Sequence, residues 1–124
     1  MPNACPRVLV VDDNEDIRAA IRCVLEDASF AVFEANNGAA ALQVLRDSKA
    51  DVVVLDLMMP VMSGWTFARQ CRRIDGCGDL PIIAVSAMLN TPDSAATLRE
   101  LGVRAYLAKP FDIELLLSLV ATMS

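Results

Sequence analysis

The stretch Val52-Val53-Val54-Leu55-Asp56 decides the fold, because four apolar residues in a row end abruptly in a carboxylate. An unbroken β-branched run is typical of a strand that is buried on both faces, as in a parallel sheet. The run is too short for a buried helix and far too short to span a bilayer. It therefore predicts an interior strand whose carboxyl end carries an acidic side chain.

On both sides of this stretch, short apolar runs alternate with segments of helical periodicity along the whole chain. Strands are predicted over residues 8–11, 30–35, 52–55, 82–85 and 104–108. The helices are predicted to begin near Ile17, Asn37, Ser63, Thr91 and Asp112, with the third extending to Arg73 and the fourth ending at Gly102. Such alternation indicates an α/β fold with a parallel sheet covered on both faces, and right-handed crossovers narrow it to a doubly wound fold. Since no linker or repeat interrupts the pattern, we expect a single domain over 1–124.

Composition excludes several classes of function. With 55% hydrophobic and 22% charged residues, the 124-residue chain is neither disordered nor of low complexity. A net charge of −5 argues against direct nucleic-acid binding, and the absence of histidine removes histidine-dependent triads and zinc ligation. Four cysteines, Cys5, Cys23, Cys71 and Cys77, form no CxxC pair and are expected to be reduced thiols that act as small apolar residues. No targeting segment or membrane span is evident, so we expect a cytoplasmic location away from the membrane.

Polar side chains stand at the carboxyl ends of four predicted strands. Asp12 and Asp13 follow the first strand, Asp56 ends the third, Ser86 follows the fourth and Lys109 follows the fifth. Parallel strands place their carboxyl ends at one edge of the sheet, where open α/β sheets bind ligands. The sequence therefore predicts that three carboxylates, a hydroxyl and an ammonium converge there.

This set of side chains has the components of a phosphoryl-transfer site. Three close carboxylates repel one another, and a hard divalent cation such as Mg²⁺ relieves the repulsion while keeping positions open for phosphate oxygens. Lys109 supplies a compact cation for a phosphoryl oxygen, and Ser86 supplies a hydroxyl donor. Asp56, at the end of the central strand, is the natural nucleophile.

Together these motifs resemble the CheY-like receiver domain of two-component response regulators. The resemblance rests on Asp12-Asp13, Asp56-x-x-Met59-Pro60-x-Met62-x-Gly64, Ser86-Ala87 and Lys109-Pro110. It covers essentially the whole chain as one receiver domain. It implies a flavodoxin-like (βα)5 sandwich with a five-stranded parallel sheet in the strand order 2-1-3-4-5.

The resemblance also implies a role for each acidic residue. Asp56 would accept a phosphoryl group from a phosphohistidine on a histidine kinase or a phosphotransfer domain. Asp13, Asp56 and the backbone carbonyl of Met58 would bind Mg²⁺ (or Mn²⁺) directly, and Asp12 would act through a metal-bound water.

The remaining implied roles concern the switch. Lys109 would pair with the phosphoryl group, Ser86 would hydrogen-bond it, and the Lys109–Pro110 peptide would be cis. Tyr106 would swing inward as the Ser86 hydroxyl moves, which would shift the fourth helix, fifth strand and last helix. The domain would catalyse only its own phosphorylation and its slow dephosphorylation.

The chain departs from the family pattern at two places. Ser86 stands where most relatives have threonine, which keeps the hydroxyl and loses the methyl group. Met58 and Met88 stand two residues after Asp56 and Ser86, where relatives tune the loss of phosphate. Both are apolar and cannot orient a water, so we hypothesise slow autodephosphorylation.

Other interpretations stay open at this point. Taken singly, Asp12-Asp13 can be a helix-capping turn, Lys109 a solvated lysine and Tyr106 a static aromatic. An aspartyl-nucleophile phosphatase lacks its general acid, because Met58 stands in that position. A receiver-shaped interaction module that takes no phosphate is disfavoured by the intact acidic set. The last helix is apolar around a narrow stripe of Glu114, Ser118 and Thr122, which suggests a homodimer face or an output-partner face.

Overall fold

Ten elements alternate along the chain as strand and helix. The computed structural model describes residues 5–59, 62–74, 76–86 and 92–124, with the backbone alone for 92–95. In chain order the elements are β1 (Arg7–Val11), α1 (Glu15–Asp27), β2 (Ala31–Ala35), α2 (Gly38–Asp47), β3 (Val52–Asp56), α3 (Gly64–Cys71), β4 (Ile82–Ser86), α4 (Pro92–Glu100), β5 (Val103–Ala108) and α5 (Ile113–Met123). The predicted features at Pro60, Ala87, Met88 and Thr91 lie outside the described residues.

All strand pairs are parallel, and the strand order is β2-β1-β3-β4-β5. The predicted doubly wound α/β fold and its order are therefore confirmed. The order reverses at β1, whose neighbours are β2 and β3, so the carboxyl ends of β1 and β3 lie side by side at the switch point. None of the helices in the described ranges is long and apolar enough to cross a membrane.

The sheet separates two apolar layers, because alternate residues of each strand point to opposite faces. Leu9 and Val11 of β1 face the layer that includes Phe67 of α3, while Val8 and Val10 face the layer formed with α1 and α5. All five side chains are completely buried. Burying each such side chain stabilises the fold by about 1.5–3 kcal/mol. The paired layers explain why the strand sequences are continuously apolar rather than alternating.

Two sequence predictions need correction. Cys71 and Cys77 lie in the core as expected, but Cys5 and Cys23 are exposed, so they do not act as core residues. Helix α3 ends at Cys71 rather than at Arg73. The reason is local: the Arg73 N–H donates to the carbonyl of Gln70, three residues back, which tightens the chain into a turn.

Short polar side chains begin the helices directly after the strands. The side chains of Asn14, Asn37, Ser63 and Asp112 accept hydrogen bonds from backbone N–H groups in the first turns of α1, α2, α3 and α5. Each cap satisfies a donor that the helix itself leaves unpaired. Because Asn14 caps α1, Asp12 and Asp13 are left outside the helix, at the edge of the sheet.

Gly64 permits a close approach between the start of α3 and the end of β3. A Cβ atom at this position would lie 2.6 Å from the carbonyl oxygen of Asp56 and 2.7 Å from the Cα of Leu57. Both are backbone atoms that cannot move without shifting the strand end. The absence of a side chain at Gly64 therefore determines where Asp56 can lie.

Gly64→Ala is expected to lower the free energy of unfolding by about 3 kcal/mol, because overpacking against backbone forces the strand end to shift. Gly78→Ala is the matched control, since no heavy atom lies within 4 Å of a Cβ built there. Urea unfolding monitored by circular dichroism measures both variants. Equal stability of the two variants would contradict the proposed close contact.

Candidate functional site

Lys109 bridges two buried carboxylates at the carboxyl edge of the sheet. Its Nζ lies 3.0 Å from Oδ2 of Asp12 and 3.3 Å from Oδ2 of Asp56. The two carboxylate side chains are only 1% and 4% exposed. Lys109 directly follows β5, whose carboxyl end lies at the same edge of the parallel sheet as those of β1 and β3. The predicted convergence of these three residues is present in the structure.

Asp13 completes a cluster of three acids. One carboxylate oxygen from each of Asp12, Asp13 and Asp56 lies within 4.8 Å of the others. Asp13 is exposed whereas its two companions are buried, so the cluster is open to solvent on one side. An all-oxygen, partly open donor set of this size fits Mg²⁺, which binds one or two carboxylates and keeps several waters. The residues present therefore fit the divalent cation that the sequence predicts.

Backbone donors hold the buried carboxylates in place. Oδ1 of Asp12 accepts a hydrogen bond from the Asn14 N–H at 2.8 Å, and Oδ1 of Asp56 accepts one from the Met58 N–H at 3.0 Å. Both donors come from the loop immediately after the strand that carries the acid. Each carboxylate thus has one oxygen bound to its own loop and the other to Lys109.

The electrostatics of the cluster are strained without a divalent cation. Burial raises the pKa of Asp56, and the negative charge of Asp12 raises it further, against the Met58 N–H and the Lys109 ammonium. Burial acts to lower the pKa of Lys109, but its contacts with Asp12 and Asp56 outweigh burial and raise that pKa. One lysine therefore does not fully compensate the carboxylates around it.

Ser86 and Tyr106 lie on the neighbouring strands β4 and β5. Ser86 is completely buried at the end of β4, and its carbonyl accepts the Lys109 N–H at 2.8 Å. Tyr106 on β5 is paired with Ala84 and packs against the core layer that contains α3. Its hydroxyl is buried and has no hydrogen-bond partner among the described residues. The Lys109–Pro110 peptide bond is cis.

Two residues that the sequence did not single out support the acids. The guanidinium of Arg18, on α1, donates to the backbone carbonyl of Asp12 at 2.8 Å. The Asn14 N–H donates to the Asp12 carboxylate. Neither contact carries a signal in the linear sequence, because both depend on how the β1–α1 turn is folded.

Three comparisons with known proteins agree with one another. The sequence profile described as "Response regulator receiver domain" matches residues 8–121. The chain is 40% identical over 106 residues to the transcriptional regulatory protein PrrA of Mycobacterium tuberculosis, covering 86% of this chain and 44% of that protein. It is also 40% identical over 109 residues to the sensor histidine kinase TmoS of Ectopseudomonas mendocina, covering 86% of this chain and 11% of the kinase.

The structural comparison covers almost the entire chain. The chemotaxis protein CheY4 of Vibrio cholerae superposes with a TM-score of 0.91 at 30% identity, covering 98% of this chain and 100% of CheY4. By contrast, the chain spans less than half the length of PrrA and about a tenth of TmoS. The matched region in each is thus the part equivalent to the fold described above. The chain belongs to the response regulator receiver domain family.

Proposed function

We propose that this chain is a single receiver domain over 1–124 that accepts a phosphoryl group on Asp56 from a phosphohistidine partner in a Mg²⁺-dependent reaction. One observation carries the proposal: Asp12, Asp13 and Asp56 lie within 4.8 Å of one another while Lys109 contacts two of them. The arrangement holds a nucleophile, a divalent-cation site and a phosphoryl-pairing cation in one place.

The proposed transfer uses the ionised carboxylate of Asp56 as the nucleophile. An oxygen of Asp56 attacks phosphorus, a P–O bond forms, and the P–N bond to the partner's imidazole breaks with its electron pair leaving on nitrogen. The Met58 N–H holds one carboxylate oxygen, which orients the other for attack. Lys109 exchanges its contact with Asp56 for one with the transferred group.

The acidic residues would hold Mg²⁺ with Asp13 and Asp56 as direct ligands, the Met58 carbonyl as a third, and Asp12 through water. When bound, the cation offsets the negative charge of the carboxylates and of the phosphoryl oxygens. The raised pKa of Asp56 supports this role, because burial and the charge of Asp12 make the ionised site unfavourable on its own.

Ser86 and Tyr106 are proposed to report the phosphorylated state. The Ser86 hydroxyl would hydrogen-bond the new phosphoryl group. The buried hydroxyl of Tyr106 has no hydrogen-bond partner in the described part of the chain. This supports a role for Tyr106 in the response, because its hydroxyl would gain a partner by moving. The signal would leave through α4, β5 and α5.

We also propose partners and a location for this chain. A histidine kinase or a histidine phosphotransfer domain is the proposed phosphoryl donor, in the cytoplasm. Leu115 on α5 is 48% exposed, which supports the proposed homodimer or output face on that helix. We propose no turnover enzyme, because Met58 leaves the phosphatase alternative without a general acid.

The direct test is incubation with acetyl phosphate and Mg²⁺ followed by intact mass spectrometry. One added phosphoryl group that is absent when EDTA removes the cation would support the proposal. No gain of mass from acetyl phosphate or from a phosphorylated kinase would contradict it.

The phosphoryl group is expected to be long-lived because Met58 cannot orient the attacking water. Met58 is 63% exposed and lies two residues after the acceptor Asp56. Met58→Asn is expected to speed dephosphorylation about fivefold, which corresponds to one hydrogen bond of about 1 kcal/mol to that water. Loss of mass over time measures the rate, and Ala39→Asn is the control for an exposed apolar residue elsewhere. An unchanged lifetime of the phosphoryl group in Met58→Asn would count against the hypothesis. The second apolar residue of the hypothesis, Met88, lies outside the described residues.

A further inference from the structure

We propose that Arg18 is a positioning residue for the cation site, with Glu34 as its anchor. The inference rests on the proposed function, because it concerns the same acidic cluster. Arg18 touches no reacting atom. It acts through the backbone of the β1–α1 turn, which carries both Asp12 and Asp13.

Arg18 joins the turn to the neighbouring strand β2. One terminal nitrogen of its guanidinium donates to the backbone carbonyl of Asp12 at 2.8 Å, and Nε donates to Oε1 of Glu34 at 3.1 Å. The Arg18 side chain is only 15% exposed, so water competes weakly for these bonds. The planar guanidinium makes both bonds at once, which a lysine ammonium cannot do with the same geometry.

The hydrogen bond from Arg18 to the Asp12 carbonyl is one of four contacts among the described residues that hold Asp12. The Asp12 N–H donates to the carbonyl of Ala35 at 3.2 Å. Its carboxylate Oδ1 accepts from the Asn14 N–H, and Oδ2 contacts Nζ of Lys109. The carbonyl held by Arg18 belongs to the peptide that joins Asp12 to Asp13. Holding the plane of that peptide sets the direction in which Asp13 leaves the strand.

Asp13 depends on this backbone support more than its two companions do. It is the exposed member of the cluster, and no described side chain holds its carboxylate. Its carboxylate nevertheless lies within 4.8 Å of those of Asp12 and Asp56. We therefore attribute the placement of this proposed direct ligand to the turn that Arg18 holds.

Glu34 is well suited to anchor Arg18. It is shared with Arg22, whose guanidinium lies 2.8 Å from the other carboxylate oxygen. Burial acts to raise the pKa of Glu34, but hydrogen bonds and charge from Arg22 and Arg18 outweigh burial and lower that pKa. Glu34 thus stays ionised and holds the Arg18 guanidinium in one orientation.

Arg22 provides a matched control. It is one turn along α1, carries the same charge and pairs with the same Glu34, but its structural contacts do not include the Asp12 carbonyl.

The charge of Arg18 and its positioning role predict opposite effects of its removal on Mg²⁺ affinity. A cation near three carboxylates opposes Mg²⁺ binding, so removing Arg18 would tighten binding if charge alone mattered, whereas loss of positioning would weaken it.

The experiment measures Mg²⁺ binding by isothermal titration calorimetry in the full chain and in Arg18→Lys and Arg22→Lys, which both keep the net charge. We expect Arg18→Lys to raise the Mg²⁺ Kd about tenfold, the lower end of the range for residues that orient metal ligands, and Arg22→Lys to change it less than about twofold. Arg18→Met, which also removes the charge, is expected to weaken binding rather than tighten it.

Two further readouts separate positioning from general stability. In the metal-free protein, amide hydrogen exchange at Asn14, whose N–H donates to the Asp12 carboxylate, should accelerate in Arg18→Lys and not in Arg22→Lys. In phosphorylation by acetyl phosphate, the half-saturating Mg²⁺ concentration should rise while the rate at saturating Mg²⁺ changes little. Should Arg18→Met not fold, Arg18→Lys decides the matter alone.

The outcomes are distinct. Unchanged or tighter Mg²⁺ binding in Arg18→Lys, or equal weakening in both lysine variants, would overturn the role of Arg18 while leaving the proposed function standing. Failure of the unaltered chain to bind Mg²⁺ would overturn the proposed function, and the positioning role with it.

Discussion

Asp56→Asn is expected to abolish phosphorylation. The amide cannot serve as the anionic nucleophile, and it has nearly the same shape as the carboxylate, so the site keeps its packing. The unaltered chain should gain about 80 Da, the mass of one HPO₃ unit, from acetyl phosphate and Mg²⁺. Asp56→Asn should gain nothing under the same conditions. Intact mass spectrometry measures the difference, and peptide mapping locates the modified residue.

Asp47→Asn is the matched control for this experiment. Asp47 is an exposed acid at the end of α2, where both of its carboxylate oxygens accept from the side-chain amide of the exposed Gln43. Its replacement should leave the gain of mass unchanged. Phosphorylation that persists in Asp56→Asn, or that maps to another residue, would refute Asp56 as the acceptor.

Lys109→Met is expected to lower the free energy of unfolding at pH 7 by about 3 kcal/mol, because it leaves two buried carboxylates without their cation. It should also slow phosphorylation strongly, since no ammonium remains to pair with the phosphoryl group. Chemical denaturation measures the first effect and the rate of mass gain measures the second. Lys49→Met, at an exposed lysine on another edge of the fold, is expected to change neither.

The loss of stability in Lys109→Met should depend on pH in a definite direction. A carboxyl group whose pKa is raised on folding destabilises the fold at high pH, and this cost fades as the pH falls through the folded pKa. The pKa of Asp56 is already raised by burial and by Asp12. Removing Lys109 raises it further, so the deficit should shrink as the pH is lowered from 7 towards 4.

The unaltered chain should lose the contribution of Lys109 to its stability at alkaline pH. The pKa of Lys109 is raised by its contacts with Asp12 and Asp56, which outweigh burial. Its contribution to stability is therefore complete below the unfolded pKa of lysine, about 10.4, and is lost as the pH rises through the folded pKa. In the double variant Lys109→Met with Asp56→Asn, part of the lost stability should return, because one of the two carboxylates left without a cation is neutralised. A deficit that does not depend on pH would contradict this account.

The element order could be read from the sequence because it depends on local periodicity and chain connectivity. Continuous apolar runs such as 52–55 and 82–85 are typical of strands buried on both faces, and a helix-covered parallel sheet buries them. The predicted end of helix α3 was wrong because a local turn intervenes. Helix α3 stops at Cys71, where the Arg73 N–H donates to the carbonyl of Gln70, three residues back, instead of continuing the helical pattern.

The meeting of Asp12, Asp56 and Lys109 could also be anticipated, because parallel strands bring their carboxyl ends to one edge whatever the details of packing. The degree of burial of each acidic side chain could not be anticipated from the sequence. Among the acids of the cluster, Asp12 and Asp56 are almost completely buried, whereas Asp13 is exposed in the turn between β1 and α1.

The amino-acid sequence by itself determined the order of the elements and which chemical groups reach the carboxyl edge of the sheet, since both follow from periodicity and from the direction of the strands. Three properties depend on the tertiary structure: which carboxylate oxygen faces Lys109, the raised pKa of Asp56, and the reach of Arg18 back to the Asp12 carbonyl. These properties depend on distances of a few ångströms between residues that are far apart in the chain. Only the packing of α1 against β2 and of β5 against the rest of the sheet sets those distances.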